Sequence, residues 1–87
     1  MTEHNFEISF YVKKDIDIDN ISEMFGEVTG GYPDALISVS ENVLYFHFNR
    51  KHENLFFAVL DALSDCYVVL EEDLSAVELR SIVLEHS

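Results

Sequence analysis

The sequence predicts an α+β domain in which two helices cover one face of a four-stranded antiparallel sheet. Three observations carry that expectation: runs with strand-like alternation, apolar stripes at helical spacing between them, and the order in which the two alternate. Phe6, Ile8, Phe10 and Val12 alternate with Glu7, Ser9 and Tyr11, which makes the first run a strand with one apolar side. Ile18, Ile21, Phe25 and Val28 then recur at helical spacing. Asp17 or Asp19 stands where a side chain accepts the first free backbone N–H groups, and Gly30-Gly31 with Pro33 ends the helix.

Ala35 to Ser40 and Val43 to Asn49 are two further alternating runs, joined by Glu41-Asn42 as a tight hairpin. Leu44, Phe46 and Phe48 share one side of the second run, and Tyr45, His47 and Asn49 the other. From Glu53 onward Phe56, Val59, Leu60 and Leu63 form the stripe of an amphipathic helix, with Asp61 and Asp65 turned outward. Tyr67-Val68-Val69-Leu70 is expected as a short fourth strand. In the tail, Ser75-Ala76-Val77-Glu78 has capping-box spacing and favours a third helix to about Glu85. Ser81-Ile82-Val83-Leu84 offers an edge strand as the competing reading. Strand, helix, strand, strand, helix, strand is the split β-α-β order called ferredoxin-like, βαββαβ, here with a C-terminal helix.

The charge is the other outstanding property. Seventeen acidic residues stand against five basic ones in 87 residues, a net charge of -12. Solubility alone asks for a magnitude of roughly 2–8 in a small domain. With 48% hydrophobic and 13% aromatic residues the chain has a core to build, unlike acidic disordered tails, and residues 1–87 are expected as a single compact domain. The longest apolar runs, such as Leu55 to Leu60, are too short to span a bilayer, and Met1-Thr2-Glu3-His4 does not open a signal peptide. Cys66 is the lone cysteine, which rules out an intrachain disulfide, so the expected compartment is the cytoplasm, away from membranes.

Motifs for chemistry are sparse. Asp15, Asp17 and Asp19 alternate like the start of a calcium loop, but Asn20 stands where the turn wants Gly and Gly26 where a bidentate carboxylate belongs. Their expected role is to favour a helix N-terminus, where negative charge meets the positive end of the backbone dipole. The histidines and Cys66 lack metal-ligand spacing, and no glycine-rich phosphate loop occurs, so neither a cofactor, a metal nor an enzymatic activity is expected. Tyr11 and Tyr45 sit on the strands from which RNA-recognition motifs stack bases, yet the basic residues that hold phosphates are missing and direct nucleic-acid binding is not expected.

A rigid anionic body instead suits a cationic partner, because carboxylates can replace phosphates in charge-assisted contacts with Arg and Lys. The expected function is a small acidic inhibitor that mimics nucleic acid and blocks a basic, nucleic-acid-handling protein such as a toxin nuclease. In composition and size the chain resembles acidic bacterial immunity proteins and phage proteins that block restriction or CRISPR machinery. The carboxylates expected to bind the partner are Asp15, Asp17, Asp19, Asp61, Asp65, Glu71, Glu72 and Asp73. Tyr11, Tyr32, Tyr45 and Tyr67 are the aromatic anchors such an interface wants. The alternative is a regulatory or ligand-binding module acting as a homodimer or larger homo-oligomer, its acidity incidental.

Overall fold

The computed structural model describes residues 2–29 and 35–85. Its elements are β1 (Thr2–Val12), α1 (Ile18–Val28), β2 (Ala35–Ser40), β3 (Val43–His52), α2 (Leu55–Val69), a 3-10 turn (Glu71–Ala76) and β4 (Val77–Leu84). β1 pairs antiparallel with β3 on one side and β4 on the other, and β2 pairs antiparallel with β3, so the sheet order is β2-β3-β1-β4. The fold is α+β, a four-stranded antiparallel sheet with two helices.

Register explains why one side of the sheet is covered. Phe6 lies across from Phe48, Ile8 from Phe46 and Phe10 from Leu44, which gathers the apolar sets of β1 and β3 on the same side. Ile21 and Phe25 of α1 and Ala58, Ala62, Cys66 and Val69 of α2 complete that core. The small residues of α2 let its axis approach the sheet, where bulky rings already fill the space. Phe6 stacks on Phe48 at 5.1 Å between centroids, and Phe25 reaches Phe46 and Phe48 at 5.7 Å each. Such ring pairs add roughly 0.5–1.5 kcal/mol each beyond the area they bury.

Local signals place the ends of the elements. Asp17 caps α1 by accepting the Asn20 N–H at 3.1 Å, as the sequence suggested. Asn54 caps α2, accepting from Phe56 and Phe57 at 2.8 and 3.3 Å. Thr29 follows α1 and donates its hydroxyl to the Phe25 carbonyl at 2.9 Å; Gly30, Gly31 and Pro33, expected to end this helix, lie outside the described residues. Glu41 and Asn42 have φ of 50° and 63°, the left-handed pair that a two-residue hairpin turn requires.

Two expectations need correction. Tyr67-Val68-Val69-Leu70 is not a strand: it continues α2 to its C-cap at Leu70, because Cys66 and Val69 extend the buried stripe that Ala58 and Ala62 begin. The tail is not a third helix. Ser75 and Ala76 close the 3-10 turn, and Val77–Leu84 forms β4, since the outer edge of β1 needs a hydrogen-bonding partner that a helix would not supply.

Candidate functional site

β1, β2, β3 and β4 bring three distant acidic segments to one end of the sheet. The backbone links are direct: the Val12 N–H donates to the Asn42 carbonyl at 2.8 Å, and the Lys13 N–H to the Ala76 carbonyl at 2.7 Å. These bonds set the β1–α1 connection beside the β2–β3 turn and beside the junction of the 3-10 turn with β4. Asp15, Asp17 and Asp19 therefore share an end with Glu71, Glu72 and Asp73, joined by Glu41 from the hairpin and Glu78 from the start of β4. Glu71, Glu72, Asp15, Asp17 and Asp19 are all exposed, and Asp73 is half-buried.

Few bases answer these acids. Among the described residues only Glu78 of this group is within ion-pair distance of a base, Lys13 at 3.8 Å, and both side chains are well exposed. Lys14 is the other base at this end. A shallow hollow of about 320 Å³ runs below it, lined by Val12, Lys13, Lys14, Asp15, Ile16, Ile18, Val39 and Asn42. Unpaired exposed carboxylates on a low-dielectric body sum into a negative field that reaches about a Debye length, roughly 8–10 Å at ordinary ionic strength.

Asp61 and Asp65 do not belong to that end. Both lie on α2 facing the last residues of β3, where Asp65 meets Arg50 at 3.0 Å and Asp61 meets His52 at 3.5 Å. The Arg50 side chain is only 11% exposed and lies over the Phe48 ring at 5.1 Å, so Asp65 helps to seat a nearly buried cation. The apolar stripe of α2 alone predicts Asp65 turned outward. It misses this pair because the partner stands fifteen positions upstream on another element.

The tyrosines are also dispersed. Tyr11 and Tyr45 lie on the side of the sheet away from the helices, Tyr45 stacked on His47 at 6.1 Å and Tyr11 beneath the Arg80 guanidinium at 6.0 Å. A β-bulge makes this last contact: Ser9 lies opposite Ser81 and Phe10 opposite Leu79, so Arg80 is the extra residue. Its guanidinium also donates to the Ser9 hydroxyl at 3.3 Å, over a serine that is fully buried and shares a 2.9 Å bond with Ser81. His47 faces Glu7 at 3.2 Å on the same side. Tyr67 is on α2 and packs edge-on against Phe10 at 5.9 Å. Tyr32 lies outside the described residues.

Groups with nucleophilic or ligating chemistry do not converge. Cys66 is buried in α2, where loss of solvation and then the neighbouring Asp65 charge push its thiol well up from the usual range, Arg50 offsetting a part. A thiol so held is the opposite of an activated thiolate. Among the described residues no three His, Cys, Asp or Glu side chains assemble into a cluster that could hold a metal ion. No described helix is long and apolar enough to cross a membrane. Comparison with protein-family models, with curated proteins and with solved structures found no match.

Proposed function

We propose that this chain is a small acidic binding protein that inhibits a basic, nucleic-acid-handling protein by occupying its phosphate-binding surface. The observation that carries this reading is the meeting of Asp15, Asp17 and Asp19 with Glu41 and with Glu71, Glu72 and Asp73 at one end of the sheet. Each segment alone is an ordinary solvated charge run. Together they form a concentrated anionic surface on a rigid support, suited to the Arg and Lys array that grips a nucleic-acid backbone. Tyr11, one residue from the end of β1 and exposed, is the aromatic anchor of that surface on the sheet.

Asp61, Asp65 and Tyr67 drop out of the proposed interface, because the first two pair with His52 and Arg50 and the third packs against Phe10. The two strand-helix-strand crossovers and the order β2-β3-β1-β4 support the ferredoxin-like plan as the scaffold. The single cysteine fits action in the cytoplasm.

The test uses a basic nuclease or nucleic-acid-binding protein encoded beside this gene. The chain should bind it and displace its nucleic acid in a competition assay, and Glu71→Lys/Glu72→Lys/Asp73→Lys should abolish both effects. If the triple variant competes as well as the wild-type chain, the acidic end is not the binding surface.

A further inference from the structure

The sheet has an open edge at β4. That strand pairs with β1 on one side and stands at the end of the order β2-β3-β1-β4. The Glu85 N–H donates to the Asn5 carbonyl at 3.0 Å, which fixes the alternation: Val83 and Ser81 turn their backbone groups to β1, while Leu84 and Ile82 turn theirs outward. The side chains of Ile82 and Leu84 fall on the helix side, across from Ile8 and Phe6. α2 packs over β1 and β3, leaving Ile82 and Leu84 38% and 47% exposed.

α2 flanks this edge with further exposed apolar side chains. Tyr67 leans on Phe10, whose neighbour across the sheet is Leu79 of β4, and helical spacing puts Leu60 and Phe56 on the same flank. All three are exposed. An outward row of donors and acceptors beside exposed apolar side chains is a template for another strand. The β2 edge differs, because Ala35 and Ile37 on its helix side already pack against the core beneath α1.

Charge selects the occupant. Copies of a body with net charge -12 repel each other and can meet only through a neutral patch. β4 is such a patch: within it Glu78 is offset by Arg80 and also faces Lys13. It is self-complementary as well. Antiparallel pairing about Ile82 or Val83 brings the two Ile82–Leu84 segments together and sets Arg80 of each copy near Glu85 of the other, on the side away from the helices. The geometry points to a homodimer in which β4 pairs with β4 of a second copy, the sheet runs on across both, and the α2 flanks bury Phe56, Leu60 and Tyr67 over the joint. This interface shares only Glu78, at the start of β4, with the acidic end and does not depend on that end's function.

Sedimentation equilibrium of the full chain tests it. The expected result is a species of twice 10.0 kDa whose association tightens as salt is raised to about 0.5 M, since screening relieves the repulsion between copies. Leu84→Lys and Leu60→Lys should each weaken dimerisation by roughly tenfold or more while circular dichroism is retained. Should Leu84→Lys unfold, Leu60→Lys on the helix surface gives the same reading. Arg80→Glu should weaken the dimer and Arg80→Glu/Glu85→Arg should restore it. A monomer at all concentrations in high salt, or a dimer that ignores Leu60→Lys and is broken by Leu36→Lys on β2, would overturn the proposal. Reversal of Glu71, Glu72 and Asp73 should leave the dimer in place, so partner binding and dimerisation fail independently.

Discussion

Both ends of the sheet gather acids and bases from its strands and from the helices and turns beside them, yet they treat that charge differently. Where β3 finishes, Asp65 holds Arg50, Asp61 holds His52, and the His52 carbonyl accepts from His4 at 3.1 Å. Where β1 finishes, Asp15, Asp17, Asp19, Glu41, Glu71, Glu72 and Asp73 gather with Lys13 and Lys14 as the nearby bases. At the first end Asp65 and Asp61 find partners on β3, while Glu3, Glu53 and Glu85 stay exposed there; at the second, topology sets no base within ion-pair distance of these seven acids among the described residues. Net charge alone could not separate these roles, because each carboxylate counts the same in a sum. What separates them is whether the topology sets a base opposite.

The contrast makes its strongest demand on stability. Arg50→Ala should destabilise the domain by about 2–3 kcal/mol in urea unfolding, because it strands Asp65 and removes the cation from the Phe48 ring. Asp73→Ala, Glu72→Ala or Asp15→Ala at the other end should change stability by less than about 0.5 kcal/mol. Equal losses at both ends would erase the distinction.

The interior shared by the two ends carries the next effect. The Cys66 pKa is raised in the folded protein, so the native state keeps a proton that the unfolded chain releases above its ordinary pKa of about 8.5. This contribution is fully present below that pH and is lost as pH rises through the window above it, by up to about 1.4 kcal/mol per pH unit. Unfolding curves at pH values from about 8 to 10 should show the decline, and Cys66→Ala should flatten it. The native thiol should also resist alkylation until the domain opens.

Two backbone positions carry smaller effects away from either charge pattern. Gly26 is inside α1 and an added Cβ would meet nothing within 4 Å, so Gly26→Ala should stabilise by about 0.5–1 kcal/mol in thermal or urea melts. Glu41 has a left-handed φ of 50°, and Glu41→Asn should help by a similar amount through relief of strain and of one crowded charge. A destabilised Gly26→Ala would mean that α1 meets something in that space.

Much of the fold was legible from β1, α1, β2 and β3, where each alternation or stripe is complete within its own segment and has a cap or turn beside it. The last third was not. Tyr67 to Leu70 has the composition of a strand, and only the spacing of Ala58, Ala62, Cys66 and Val69 reveals that it finishes a helix. β4 hid its period because the bulge at Arg80 shifts the phase between Leu79 and Ile82. The site was partly legible: Asp15, Asp17, Asp19, Glu71, Glu72 and Asp73 could be named as charge runs, but their meeting with Glu41 and Glu78 depends on long-range pairing of β1 with β3 and β4. Asp61 and Asp65 read as equivalent to them because their partners lie on β3.

The most direct measurement is the salt dependence of affinity for the basic partner, by titration calorimetry, in the wild-type chain and in two variants. The wild type should lose at least about tenfold in affinity between roughly 0.05 and 0.3 M salt, and Asp61→Lys should follow it closely. Glu71→Lys/Glu72→Lys/Asp73→Lys should bind far more weakly, with a much flatter salt dependence. Affinity that ignores salt, or a triple variant that matches the wild type, would contradict the assignment of partner binding to the acidic end.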